Sequence, residues 1–283
     1  MGTPEKPLLA LRLQRRAYAS IYEGAKVLAA GVSFLSLVFV LMYLLPALMS
    51  LTRHTNINYI ETAPPTLLLF DPYAQAAYLT FLSSLSLLWQ LAYPTAFVIG
   101  GIFLNSLLVG GVIQIDRGLK QLRRLGLPGL GLSGVASKVL LTGDIGMIVS
   151  AIFLLTVISP NNLQESPTSI SLLTAMDFSF ALMAIGLLLT GAALWRCGKA
   201  CGHSDVKEGG IAIVIGMAIF LVNWLASIGL LYQPVLTPSR PGMATLLYLS
   251  SMLPVNNIVS FALAFAGATK TSYQARELMR GAV

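Results

Sequence analysis

Asp144 and Asp177 are the carboxylates that stand inside the long apolar stretches of this 283-residue sequence. A charged group in hydrocarbon costs on the order of several kcal/mol, so such residues face an interior and often mark ion paths. On antiparallel helices, Asp144 would lie towards one membrane surface and Asp177 towards the other, so we do not expect them to touch. Two interpretations are open: a proton or cation relay, and, favoured here, carboxyls satisfied by hydroxyl groups or by an interface.

Four asparagines also fall in or near apolar stretches: Asn105, Asn223, Asn256 and Asn257. Interhelical amide hydrogen bonds, worth about 1 kcal/mol each between membrane helices, would account for them. The alternative hypothesis is that they line a polar pore.

Cys197, Cys201 and His203 form a Cys-x3-Cys-x-His pattern. Thiolate and imidazole are good zinc ligands, and Asp205 could supply a fourth. The spacing is not that of the usual cysteine knuckle, and the second half of a zinc site is missing, so we expect no metal here. The sequence also contains no phosphate-binding glycine loop, no His-Glu-x-x-His motif and no serine nucleophile elbow. We therefore expect neither an enzyme nor a resident cofactor.

The distribution of positive charge predicts the topology. Only Arg53 and Arg240, of 18 Lys and Arg residues, fall outside alternate connections between the apolar stretches. Cytoplasmic loops retain Lys and Arg, so both termini are expected inside, in a plasma-membrane protein whose first partner is the lipid bilayer. The basic inner surface would comprise Arg12, Arg15, Arg16, Arg117, Lys120, Arg123 and Arg124.

Composition supports this class, because 56% of the residues are hydrophobic and only 10% are charged. About 20 apolar residues cross a bilayer as a helix. The sequence predicts an all-α polytopic protein with six transmembrane helices and some interfacial helices. The predicted spans are residues 24–51, 94–115, 135–159, 170–195, 209–232 and 245–268.

The sequence allows more than one structure for two segments. Residues 1–22 predict a basic amphipathic segment at the inner lipid surface, or an extension of the first helix, before a transmembrane domain at 23–283. Residues 74–115 are about twice the length of one crossing. We prefer a surface helix followed by one crossing from Pro94, because two crossings would place the next cations outside. One long kinked helix remains a third interpretation.

The helices that run outwards share an internal pattern, in which a small residue recurs after seven positions. Seven residues are about two helical turns, so both small residues lie on one face and allow another helix to approach. The pairs are Gly24 and Gly31, Ala136 and Gly143, and Gly209 and Gly216. The pattern predicts three tandem helical hairpins, at residues 23–125, 133–204 and 206–280.

A resemblance rests on the same features. Glu23-Gly24 and Glu208-Gly209 each open an apolar helix, and returning helices have basic ends near 117–125 and 270–278. In these features the chain resembles a family of archaeal multipass membrane proteins of uncharacterised function, which implies a membrane location and no activity. In size and helix number it is loosely similar to the multipass component of the crenarchaeal DNA-import machinery.

The expected function is a non-enzymatic membrane component, a scaffold or pore-forming subunit with other membrane subunits or further copies of itself as partners. A secondary transporter or channel for a small solute or ion is the alternative, and would use the intramembrane carboxylates and amides. A third hypothesis is a DNA-translocation subunit, in which the basic inner surface meets nucleic-acid phosphates.

Overall fold

The computed structural model describes residues 5–52, 87–127, 131–157, 167–236 and 240–281, with side chains mainly in 10–37, 103–127, 131–150, 178–225 and 256–281. All regular structure in these residues is helical, which confirms the all-α prediction. Six long helices follow one another along the chain: α1 Glu5–Thr52, α2 Leu87–Arg124, α3 Leu132–Val157, α4 Pro167–Cys201, α5 Ser204–Leu236 and α6 Arg240–Gly281.

The six helices close into a ring. Each helix packs against its neighbours in the chain, and α1 also packs along α6. Contacts at two levels show that α1 and α2 are antiparallel, since Gly24 lies against Gly111 whereas Gly118 lies against Ala17 and Ile21. Helix α3 packs mainly on α4 and has a much smaller contact with α2, which also touches α4. The α2–α3 contact is therefore the narrowest in the ring.

Three contacts in the ring are made by facing glycines. A Cβ added at Gly24 would lie 2.6 Å from the carbonyl oxygen of Gly111, and one at Gly210 would lie 2.6 Å from that of Gly191. Such distances exclude any side chain, so these helices approach backbone to backbone. Gly209 and Gly267 form the third facing pair, between α5 and α6. The second residue of each seven-residue pair also lies against a neighbouring helix, with Gly31 facing Leu108, Gly143 facing Ser179 and Gly216 facing Ser260.

The outer surface of the ring is apolar. Ile145, Val149 and Phe153 on α3 are each about half exposed, and Val222 on α5 is 65% exposed. In the described residues, three stretches are long and apolar enough to cross a membrane: Leu132–Ser150, Phe178–Cys201 and Ser204–Leu225. Lipid is the solvent that suits such a surface.

The helices are longer than the predicted spans. Residues 5–22 are continuous with the rest of α1, which is the second of the two interpretations given for this segment. The basic residues near 117–125 likewise continue α2, which ends at Arg124.

The region before Pro94 also differs from the preferred interpretation. Helix α2 begins at Leu87 and passes through Pro94, so residues 87–93 belong to the same helix as the crossing. The earlier part of the predicted surface helix, residues 74–86, lies outside the described residues. Among the residues that are described, the structure contains no separate interfacial helix.

Candidate functional site

The centre of the ring is filled by apolar side chains. A cavity of about 20 Å³ remains there, which is the space of roughly one water molecule. Five of the six helices contribute to its walls, and α3 does not. The lining residues are Leu35 from α1, Leu104, Asn105 and Leu108 from α2, Phe180, Met183, Ala184 and Leu187 from α4, Met217 and Phe220 from α5, and Phe261 from α6.

Asn105 is the polar residue in this lining, and it connects the cavity to Asp144. Asn105 is 4% exposed and Asp144 on α3 is 8% exposed. The Asn105 amide lies within hydrogen-bonding reach of the Asp144 carboxyl group across the α2–α3 contact. The Oδ1 atom of Asp144 is buried without a hydrogen-bond partner. The structure thus joins two residues that the sequence analysis had named separately.

The other predicted amides form a cluster between α5 and α6. Asn223 Nδ2 donates to Asn257 Oδ1 at 3.1 Å, and Asn256 Nδ2 donates to Asn223 Oδ1 at 3.3 Å. Each amide thereby gains a partner from the facing helix, as expected for polar groups between membrane helices. None of the three asparagines lines the central cavity.

Tyr18 lies at the end of the ring that carries the predicted basic surface, which we call the basic end. It links α1 to the turn between α4 and α5. Its Oη atom lies 3.1 Å from His203 Nε2, and its hydroxyl group also lies within hydrogen-bonding reach of Gln14 and Cys201. Burial is the main cause that raises the pKa of Tyr18 to about 12, and it also lowers the pKa of His203. A neutral imidazole accepts from the tyrosine hydroxyl when its proton is on Nδ1. Helices α1 and α4 are not neighbours in the ring, so this bond crosses its basic end.

Cys197 and Cys201 are one helical turn apart, and the Cys197 thiol lies within hydrogen-bonding reach of the sulfur of Cys201. Both are free cysteines. In the part of the chain that the structure describes, no three His, Cys, Asp or Glu side chains come together in a way that could hold a metal ion. The weak metal candidates Cys201 and His203 both lie within hydrogen-bonding reach of the Tyr18 hydroxyl group, and Cys197 lies one turn before Cys201.

All seven residues of the predicted basic surface are exposed, at the end of the ring that holds Tyr18 and His203. Lys120 forms an ion pair with the buried Asp116 at 2.5 Å. Elsewhere at this end Lys270 pairs with Asp205 at 3.4 Å and with Glu208. The hydrogen bond with Glu208 is the main cause that raises the pKa of Lys270.

The sequence analysis missed Asp116 and Tyr18. Asp116 is 4% exposed on α2, accepts from Ser137 at 3.4 Å, and keeps Oδ1 without a partner. Its place directly before Arg117 made it look like part of a solvated basic segment. Lys120 four residues later was the available signal, because that spacing pairs side chains on a helix. The side chain of the predicted Asp177 lies outside the described residues.

Comparison with known proteins found no matching family model, no matching curated protein and no matching solved structure.

Proposed function

We propose that this chain is a plasma-membrane protein with six spans and cytoplasmic termini, and that it acts without catalysis as the pore-forming subunit of a larger membrane assembly. One observation carries the proposal: the helices form a closed ring with an apolar outer surface and a polar pair, Asn105 and Asp144, towards its inside. Lipid would contact the outer surface, and the ring axis would be shielded from it.

In this proposal the structure is a closed state. The side chains of Leu104, Phe220 and Phe261 leave a cavity for about one water molecule, and apolar constrictions of this kind close channels by excluding water. Opening would require the ring to widen at that level. The narrow α2–α3 contact is the place where it could do so with the smallest loss of packing.

The topology is tested with a tag fused after Val283 and with single cysteines introduced at Arg123 or Arg124 in a Cys197→Ala/Cys201→Ala background. We expect all of them to be reached by impermeant reagents only after the membrane is opened. Labelling in intact cells at any of these positions would contradict the cytoplasmic placement.

The pore is tested by ion flux through liposomes that contain the purified full chain. Phe220→Ala removes a ring from the constriction, so we expect flux severalfold above that of the wild type. Val222→Ala is the matched control, two residues away on the same helix and facing outwards. Because Phe→Ala in a core costs about 3–5 kcal/mol, Phe220→Val serves if the first variant does not fold. Equal flux for folded Phe220 and Val222 variants would favour the scaffold role instead.

A secondary transporter is the second candidate, and the Asn105–Asp144 pair favours it. A carboxyl group buried among apolar helices commonly serves proton or ion movement. Solute-coupled proton uptake that is lost in Asp144→Asn and kept in Asn223→Ala would support this candidate.

A DNA-translocation subunit is the third candidate, and the exposed basic end favours it. From the resemblances noted in the sequence we also propose that the chain is related to an archaeal family of multipass membrane proteins and, more loosely, to a DNA-import component. Oligonucleotide binding that falls steeply with salt, and that weakens when Arg117, Arg123 and Arg124 are replaced, would support it.

A further inference from the structure

Three arginines on the first turns of α1 line an open groove at the basic end of the ring. Arg12, Arg15 and Arg16 share one face of the helix, because residues three and four apart are neighbours. Ala19 and Met279 of α6 complete the groove, which has a volume of about 370 Å³. None of the three guanidinium groups takes part in an ion pair of the described residues, whereas Lys120, Lys270 and Arg280 each do.

The chemistry of the groove suits a phosphate group. A guanidinium is a planar fork of donors that matches phosphate oxygens, and three of them in one groove supply more charge than one phosphate needs. The rest of the lining, Ala19 and Met279, is apolar. A ligand with a phosphate at one end and an apolar remainder would match both parts.

The position of the groove relative to the membrane surface indicates that the phosphate belongs to a lipid. Tyr22 on α1, Trp195 on α4 and Tyr273 on α6 lie near one level of the ring. Tyr18, one turn below Tyr22, meets His203, Trp195 lies beside Gly210, and Thr271, two residues before Tyr273, lies beside Gly209. Aromatic residues of this kind mark the membrane interface. Arg15 and Arg16 are six or seven residues from Tyr22, which is about 10 Å along a helix.

The polar layer on one side of a bilayer is about 5–8 Å deep, so extended arginine side chains at this depth reach the lipid phosphates. Ala19 lies between the arginines and the aromatic level, where the glycerol end of a lipid would pass. We propose that the groove of Arg12, Arg15, Arg16, Ala19 and Met279 binds the headgroup of an anionic phospholipid of the inner leaflet. This inference rests on the part of the proposed function that places the basic end of the ring at the inner leaflet, and it does not require that the ring conducts ions.

The test uses the full chain in nanodiscs of phosphatidylcholine, with a fluorescent phosphatidylglycerol as the probe. We compare the wild type with Arg12→Gln/Arg15→Gln/Arg16→Gln and with Arg117→Gln/Arg123→Gln/Arg124→Gln, which removes the same charge from exposed positions on α2. The three guanidinium groups would hold the lipid phosphate directly by charge-assisted hydrogen bonds, so we expect the first variant to bind the probe about tenfold more weakly or worse. The α2 variant should stay within about twofold of the wild type.

Inorganic phosphate and a short single-stranded oligonucleotide serve as competitors. We expect neither to displace the lipid at concentrations near that of the probe. Equal losses in the two variants would overturn the site and leave only general charge attraction. Displacement by inorganic phosphate would assign the groove to a soluble phosphate, and displacement by the oligonucleotide would assign it to nucleic acid. Equal flux for the Phe220 and Val222 variants in the liposome experiment would contradict the pore without changing this result.

Discussion

Helices α5 and α6 meet first at the facing glycines Gly209 and Gly267 and then at a cluster of asparagines in which each amide has a partner. Helices α2 and α3 meet over a narrower contact. A methyl group added at Gly134 on α3 would meet α2 only at the end of the Lys120 side chain, 3.9 Å away.

The same two contacts also differ in whether their buried polar atoms have hydrogen-bond partners. Of the four buried side-chain polar atoms without a partner in the described residues, three belong to α2 or α3: Asp116 Oδ1, Gln121 Oε1 and Asp144 Oδ1. Buried polar groups normally find partners, and each exception calls for an explanation. We infer that the α5–α6 contact is built to stay closed, and that the α2–α3 contact is the part of the ring able to exchange partners with water, an ion or another subunit.

The largest expected difference is between two glycine substitutions. A Cβ at Gly267 would lie 2.9 Å from the Ile213 side chain and closer still to the Gly209 carbonyl oxygen. Gly267→Ala therefore has to force two backbones apart, and we expect a loss of about 1–3 kcal/mol or more of stability. Gly134→Ala, at the α2–α3 contact, should change stability little, or raise it by up to about 1 kcal/mol through helix propensity. Thermal unfolding in one detergent measures both, and similar losses would show that the two contacts are equally tight.

A second pair of substitutions replaces an amide by a carboxyl group in the α5–α6 contact and a carboxyl by an amide group in the α2–α3 contact. Asn223→Asp removes the donor to Asn257 and places an ionisable group among fully paired amides, so we expect a loss of about 1–3 kcal/mol. Asp144→Asn keeps the shape and removes the ionisable group from a site with one unpaired oxygen, so stability should stay within about 0.5 kcal/mol or rise. A large loss in Asp144→Asn would mean that the α2–α3 contact depends on the carboxyl group itself. Thermal unfolding at neutral pH gives both values.

The sequence predicted the parts of this fold that are set by composition and periodicity. Hydrophobic stretches predicted six helices, and glycines seven residues apart predicted which faces would approach. Helix ends could not be predicted from hydropathy alone, because residues 5–22 and 117–124 continue helices beyond the apolar part, where packing of Tyr18 and Leu122 sustains them.

Less of the candidate site could be predicted from the sequence. Asn105 and Asp144 were each named, but their contact depends on which helices are neighbours and on their relative height, and spacing along the chain contains neither quantity. The Tyr18–His203 bond joins residues 185 positions apart. A tyrosine beside arginines is typical of a solvated segment, and only the closed ring brings it to the α4–α5 turn.

The burial of His203 beside Tyr18 predicts a pH dependence that neither helix contact should share. Burial lowers the pKa of His203, so the folded protein prefers the neutral imidazole. This preference contributes fully above about pH 6.5, the usual value in an unfolded chain, and is lost as the pH falls through the lower pKa of the folded state. We expect the melting temperature of the wild type to fall below about pH 6.5, and that of His203→Gln to fall less. Tyr18→Phe is the control that keeps the ring but removes the hydroxyl group.

The smallest expected effects compare single hydrogen bonds in the two contacts. Ser137 donates to Asp116 at 3.4 Å, which is long for a hydroxyl donor, and Lys120 already pairs with the same carboxylate. Ser137→Ala should therefore cost less than about 0.5 kcal/mol. Asn256→Ala removes the bond to Asn223 in the α5–α6 cluster and should cost about 0.6 kcal/mol, and up to about 1.7 kcal/mol. A greater loss in Ser137→Ala than in Asn256→Ala would show that the α2–α3 contact is held by its polar groups after all, and the ring would then have to open elsewhere.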